Sequence, residues 1–317
     1  MLVIFSFLLI FKGSLLFAAK WSPPRANTPT VKMGIVGTSL NLDVKDIKGE
    51  ETPIQYRPNS LGRIAVGIEY LGFGAMVGVA PQAAQSNESQ FGKTIGVDYQ
   101  FRFLREQNSF DFFYQKYQGF YILNSKKIDP TIQGEDPYLQ RSDLHTEHIG
   151  FQYYRTLSPD NFSIAACFDQ SGWQKESGGT WFYYGALSQH HIDSDFSLIP
   201  TSLTSSYSSI QDFQKGDFTT AKLGIGGAYV WVYNNFYIAG KLIAAFGQQK
   251  QNYNLGTEEI NRWIPTSGGS AKISLGINGD TYFTSFNLFN DSTDITLNDR
   301  QIQFGTLEIS WLWGVHF

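Results

Sequence analysis

The sequence predicts an all-β protein: a transmembrane, antiparallel, up-and-down β-barrel that follows an N-terminal signal peptide. Three observations carry that prediction. Apolar and polar residues alternate with period two through most of the chain after about residue 31, and helical periodicity is nearly absent. The composition is rich in aromatics (16%) and glycine (31 residues) but poor in charge (16%), as strands with one apolar and one polar face require. The last segment, "GTLEISWLWGVHF", alternates to the final residue, with Leu307, Ile309, Trp311, Trp313, Val315 and Phe317 on one face. In water such a strand is an aggregation-prone edge. In a closed barrel it pairs with the first strand and its aromatic face meets lipid.

The chain begins "MLVIFSFLLIFKGSLLFAAKW", an apolar run broken only by Lys12 and ending in the small residues Ala18 and Ala19. This reads as a secretory signal over residues 1–19, with the barrel occupying 20–317. An uncleaved anchor is the rival reading of the same run. No later stretch is long and apolar enough for a spanning helix.

From there the strands follow in order. In "LGRIAVGIEYLG", Ile64, Val66, Ile68 and Tyr70 oppose Arg63, Ala65, Gly67 and Glu69. In "KTIGVDYQFRFL", Ile95, Val97, Tyr99, Phe101 and Phe103 oppose Thr94, Gly96, Asp98, Gln100 and Arg102. The same pattern recurs in "TAKLGIGGAYVWVY" and "SAKISLGIN". Segments of about ten residues suffice to cross a bilayer when tilted. Aromatics gather at segment ends, among them Phe110, Tyr114, Trp231, Tyr233 and Phe236, like the girdles of membrane interfaces. A secreted β-sandwich also alternates, but does not need so many apolar faces ending in aromatics.

Tight turns are expected at 71–72, 105–108, 158–161, 234–235 and 278–280, and longer loops near 45–59, 81–92, 124–143, 249–268 and 291–299. The stretch between Leu187 and Asp217 breaks the rhythm. With both termini on one side of the membrane the strand number is even. If "FSLIPTSL" supplies a strand there are about 14; if a segment near the N-terminus stands apart there are 12. The sequence favours 14.

The polar faces carry Arg63, Glu69, Asp98, Arg102, Asp111, Asp169, Lys222, Lys241, Lys272 and Glu308, five of each sign, as lumen-lining candidates. A balanced set suits mutual pairing across a narrow interior, since unpaired buried charge is costly. The formal charge of −4 offers no footprint for nucleic acid. Nucleotide-binding and metalloprotease motifs are absent, so no cofactor, metal or catalytic residue is assigned. His190 and His191 point to opposite faces of a strand and cannot share a metal without a turn. Ser188 beside these histidines is the one set that could suggest a lipid hydrolase. Ser310 and His316 share a face but stand roughly 20 Å apart along a strand. The single cysteine, Cys167, permits no internal disulfide.

Two resemblances add to this reading. The terminal strand, with Trp311, Trp313, Val315 and Phe317, resembles the signal read by the barrel-assembly machinery of bacterial outer membranes. "YRPNSLGRIAVGIEYLGFGAMVG" (56–78), "QKESGGTWFYYGAL" (174–187) and "SLIP" (197–200) resemble landmarks of an outer-membrane family known as domain of unknown function 4421. That resemblance implies a barrel over about 31–317 and supplies no activity. The expected partners are the lipid bilayer and the assembly machinery. The expected function is a narrow, porin-like transport barrel for small polar solutes. The alternatives are a structural or surface-interaction barrel with a closed lumen and, third, a membrane-embedded lipid hydrolase.

Overall fold

The computed structural model describes residues 29–59, 62–79, 88–105, 107–134 and 136–317. The expected signal peptide, 1–19, lies outside them. Thirteen strands make one antiparallel sheet that closes on itself. They are β1 (Thr30–Asp46), β2 (Ile54–Arg57), β3 (Arg63–Tyr70), β4 (Phe73–Val79), β5 (Ile95–Leu104), β6 (Asn108–Ile122), β7 (Gln140–Thr156), β8 (Gly178–Asp193), β9 (Phe213–Tyr233), β10 (Phe236–Leu255), β11 (Glu258–Asn278), β12 (Tyr282–Leu297) and β13 (Arg300–His316). Among the described residues three single-turn helices, α1 (Glu88–Phe91), α2 (Ser125–Ile128) and α3 (Ile164–Phe168), lie in the connections.

Closure is made by the first and last of these strands. β1 pairs with β13 from Thr30↔His316 to Asp46↔Arg300, so the tryptophan-bearing strand is not an edge. Alternation sorts the faces as the pleat demands. On β1 the even-numbered residues from Lys32 to Val44 are buried, while Val31, Met33 and Ile35 are exposed. Ile64, Val66 and Ile68 on β3, Leu223 and Ile225 on β9, and Ile273, Leu275 and Ile277 on β11 extend this apolar belt around the outer wall. An apolar band of that extent is stable against lipid, not water. At the end where β1 starts and β13 finishes, called the terminal end, aromatic rings meet across strands: Phe73–Phe103 at 4.6 Å, Phe103–Phe110 at 6.0 Å and Phe110–Tyr153 at 5.1 Å between centroids.

The ring holds twelve strands, not fourteen. β2 and β3 both run antiparallel to β1, one above the other, and fill one wall position at two heights. "FSLIPTSL" forms no strand; it belongs to the segment 194–212, with 3-10 turns at Thr201–Leu203 and Ser208–Ile210. Its polar residues do not alternate cleanly enough to present one face to lipid. Two expected loops are also strand: 249–268 and 291–299 fall on β10–β11 and β12–β13, joined by the turns 256–257 and 298–299. Polar composition suggested loops there because these strands continue past the apolar belt, where both faces may be wet. The expected tight turn at 158–161 opens a long insertion, 157–177.

The wall changes width along its axis. At the terminal end the β4–β5 hairpin stands between β3 and β6. Distally the hairpin ends and β2 bridges β1 directly to β6, through Leu42↔Tyr56 and Tyr56↔Ile122. Gly119 makes the step possible. It sits at φ +86° where the β6–β7 register shifts, and a Cβ there would stand 2.1 Å from the Lys93 carbonyl oxygen. The distal half therefore has fewer strands around it, and barrel bore falls with strand number. Side chains fill it. Leu42, Val44, Ile302 and Phe304 of the β1–β13 seam cluster with Tyr56, Ile122 and Leu144 on one flank and with Phe218, Tyr253 and Ile295 on the other. Leu198, Ile199, Tyr207 and Ile210 of the 194–212 segment complete this apolar neck.

Candidate functional site: a charged chamber inside the barrel

Below the neck the interior is polar. The insertion 157–177 leaves β7 at the terminal end and folds back into the lumen. Ser163 caps α3, its hydroxyl accepting from the Ala166 N–H at 3.1 Å. Phe162, Cys167 and Phe168 pack on Phe182, Val230 and Ala239 of the wall. Polar bonds hold the insertion in place. Gln170 Nε2 donates to the Tyr237 hydroxyl at 2.9 Å, and Asn278 Nδ2 donates to the Gly172 carbonyl at 2.8 Å.

Asp169, expected to face inward from a strand, follows α3 on this insertion. It is the centre of a charge cluster. Lys32 Nζ lies 2.9 Å and Arg102 Nη1 2.7 Å from Asp169 Oδ1. Lys32 also approaches Glu69 Oε2 at 3.7 Å, and Arg102 approaches Asp111 at 3.7 Å. Burial raises the Asp169 carboxyl, but Lys32 and Arg102 more than offset that and hold it well below the usual carboxylate range. A separate pair closes the β3–β5 side, with Arg63 Nη2 at 2.8 Å from Asp98 Oδ2 and Gln115 Nε2 donating to the same oxygen at 3.2 Å.

Between the insertion and the neck is a cavity of about 100 Å³. Its wall includes Arg102, Asp111, Asp169, Lys241, Lys272 and Glu308 from the expected set, together with Asp291. Lys241 and Lys272 stand directly opposite each other on β10 and β11. Neither has a carboxylate within 4.0 Å among the described residues. Lys241 Nζ lies 4.4 Å from the Tyr154 ring centroid, and Lys272 Nζ donates to the Phe168 carbonyl at 3.3 Å. Lys222, buried nearby, donates to Thr293 Oγ1 at 2.9 Å.

Two charged residues of this interior were not among the sequence candidates. Lys32 alternates against Val31, Met33 and Ile35, and that parity could have found it. Asp291 was hidden because 291–299 reads as a loop; on β12 it faces the cavity. The remaining candidates lie elsewhere. Trp311 is exposed on the outer wall beside Trp313, at 4.6 Å between ring centroids, while Val315 is half-buried and Phe317 exposed at the terminal rim. His190 stacks on His148 inside the barrel at 3.7 Å between centroids. His191 instead meets Asp217 at 2.9 Å. Ser188 makes no hydrogen bond to either histidine 190 or 191 among the described residues, so the nucleophile–base contact of a hydrolase is not formed there. Among the described residues no three metal-ligating side chains converge.

Lipid-facing belt, closed strand ring and filled lumen define a membrane-spanning β-barrel with a charged chamber between an apolar neck and a folded-in insertion. The chain belongs to the family described as Domain of unknown function (DUF4421), which matches residues 25–310. No curated protein matches the chain. Solved structures that overlap it include the outer membrane protease OmpT from Escherichia coli, at 8% identity, 92% of this chain, 98% of that chain and a TM-score of 0.36. The toluene transporter TodX of Pseudomonas putida overlaps at 9% identity, 93% and 91% coverage and a TM-score of 0.27. The attachment invasion locus protein Ail of Yersinia pestis does so at 10% identity, 92% and 99% coverage and a TM-score of 0.25. Overlaps this loose transfer no activity.

Proposed function

We propose that this protein is an outer-membrane barrel with a closed lumen, serving as a structural or surface-interaction element and not as an open solute channel. The apolar neck carries the reading. Leu42, Leu144, Ile192, Phe218, Ile295 and Ile302, each 0% exposed, meet from strands on all sides, and the 194–212 segment packs among them. An ion crossing that layer would lose its hydration without replacement, which is costly. The outer-membrane location is supported by the apolar belt, by the secretory signal expected at 1–19 and by the terminal strand that resembles an assembly signal. On this reading the terminal end faces the periplasm, and the bilayer and the assembly machinery are the partners.

Planar-bilayer recording tests it. The folded wild type is expected to show no conductance at any voltage. Stepwise channel openings that scale with salt would overturn the closed-lumen reading and restore the porin-like one, with Lys241 and Lys272 as its selectivity residues.

A further inference from the structure

We propose that the chamber is a binding site for a small zwitterion, a molecule carrying one carboxylate-like and one ammonium group on a short backbone, such as the smallest amino acids. The proposal goes beyond the closed-lumen reading, which concerns conduction alone.

The inference starts from which charges are satisfied. Arg102 is engaged by Asp169 at 2.7 Å and by Asp111 at 3.7 Å. Lys241 and Lys272 face the same cavity, as do Asp291 and Glu308, and none of these four forms an ion pair within 4.0 Å among the described residues. Lys241 is only 6% exposed. Two cations and two anions, none of them in a contact ion pair, thus line one cavity. Lys241 is buried and Lys272, Asp291 and Glu308 are half-buried, so a ligand that displaces solvent from all four must answer both signs. A simple anion would leave Asp291 and Glu308 unanswered. A simple cation would leave the lysine pair facing itself across β10 and β11.

The layout separates the signs. Register places Lys241, Lys272, Phe289 and Glu308 in one row across β10 to β13. Lys272 and Glu308 are therefore two strands apart, roughly 10 Å at the backbone. Phe289 lies between them, and Tyr154 and Phe168 also line the cavity. A ligand would set its acid group on the lysines, its ammonium on Glu308 and Asp291, and its carbon backbone on the rings. The cavity volume of about 100 Å³ suits a small ligand. Entry follows from the insertion 157–177. Its Ile164, Phe168 and Asp169 form the terminal wall of the cavity, so releasing it opens the chamber toward that end.

Calorimetric titration of the folded, detergent-solubilised wild type with glycine and β-alanine tests this, with acetate and methylammonium as single-charge controls. The zwitterions are expected to bind at least tenfold more tightly than either control. Lys272→Gln and Glu308→Gln are each expected to weaken zwitterion binding at least tenfold, with folding checked by heat-modifiable electrophoresis. Should one variant fail to fold, the other and the wild-type ligand series still decide. No binding of either zwitterion to folded wild type, or acetate binding as tightly as glycine, would show that the chamber holds water or a plain anion and overturn the proposal. Conductance is measured separately, so a conducting barrel that binds zwitterions and a sealed one that does not are told apart.

Discussion

The distal and terminal halves of this barrel are made from the same strands yet are filled by opposite chemistry. The distal half loses the β4–β5 hairpin, narrows, and packs an apolar core across its lumen. The terminal half keeps the hairpin, is wider, and holds a network of buried charge closed off by a folded-in loop. Width decides the difference. Where side chains from opposite walls can touch, dispersion and dehydration stabilise a dry core. Where they cannot, the gap must be spanned by long polar side chains, inserted chain or solvent.

If the neck is a true core, cutting it should have the largest effect. Phe218, 0% exposed and stacked near Phe213 and Tyr253, is its clearest test. Phe218→Ala is expected to destabilise by about 3–5 kcal/mol in reversible unfolding from lipid vesicles. A cost below ~1 kcal/mol would mean the neck is loose and could admit water.

The outer wall should respond next, and to polarity instead of volume. Ile225→Arg or Val97→Arg, both on the lipid face, is expected to cost about 2–4 kcal/mol near the bilayer midplane. Gln100→Arg, on the cavity wall, is expected to be mild in the same assay. Equal tolerance at the two kinds of site would break the assignment of faces.

Within the terminal half the lysine pair should behave unlike an ion pair. Lys241 opposes Lys272 directly, and like charges facing each other are destabilising. Lys241→Gln is therefore expected to change stability by less than ~1 kcal/mol. A large loss would reveal a carboxylate partner in solution and return this region to mutual pairing.

The smallest expected effect is the response to mild acid. The Asp169 carboxyl titrates well below its unfolded value because Lys32 and Arg102 outweigh its burial. Its contribution to docking the insertion is fully present above the unfolded value of about 3.9 and is lost only as pH falls through the lower, folded one. Hydrogen exchange at the Cys167 and Asp169 amides, corrected for intrinsic rate, should thus be unchanged between pH 7 and pH 5, with release confined to stronger acid. Release already at pH 5 would show that another group holds the insertion.

Alternation, together with the aromatic-rich composition and the terminal strand, pointed to the β-barrel and its lipid-facing side and put residues such as Arg63, Asp98 and Lys272 on the opposite face, because a pleated strand has only two faces and a bilayer accepts only one kind. The residues of the terminal strand likewise implied closure, since an unpaired apolar edge is unstable. Local pattern could not decide the partner of each charge, nor the twelve-strand count, which turned on β2 and β3 sharing one wall position. It also misread polar strand extensions as loops and so missed Asp291. Least legible was the neck, where Leu198 and Tyr207 of the 194–212 segment cluster with Leu42 and Val44 across more than 150 residues of chain. Such contacts depend on the bore of the closed ring, a property of the assembled sheet that no single strand carries.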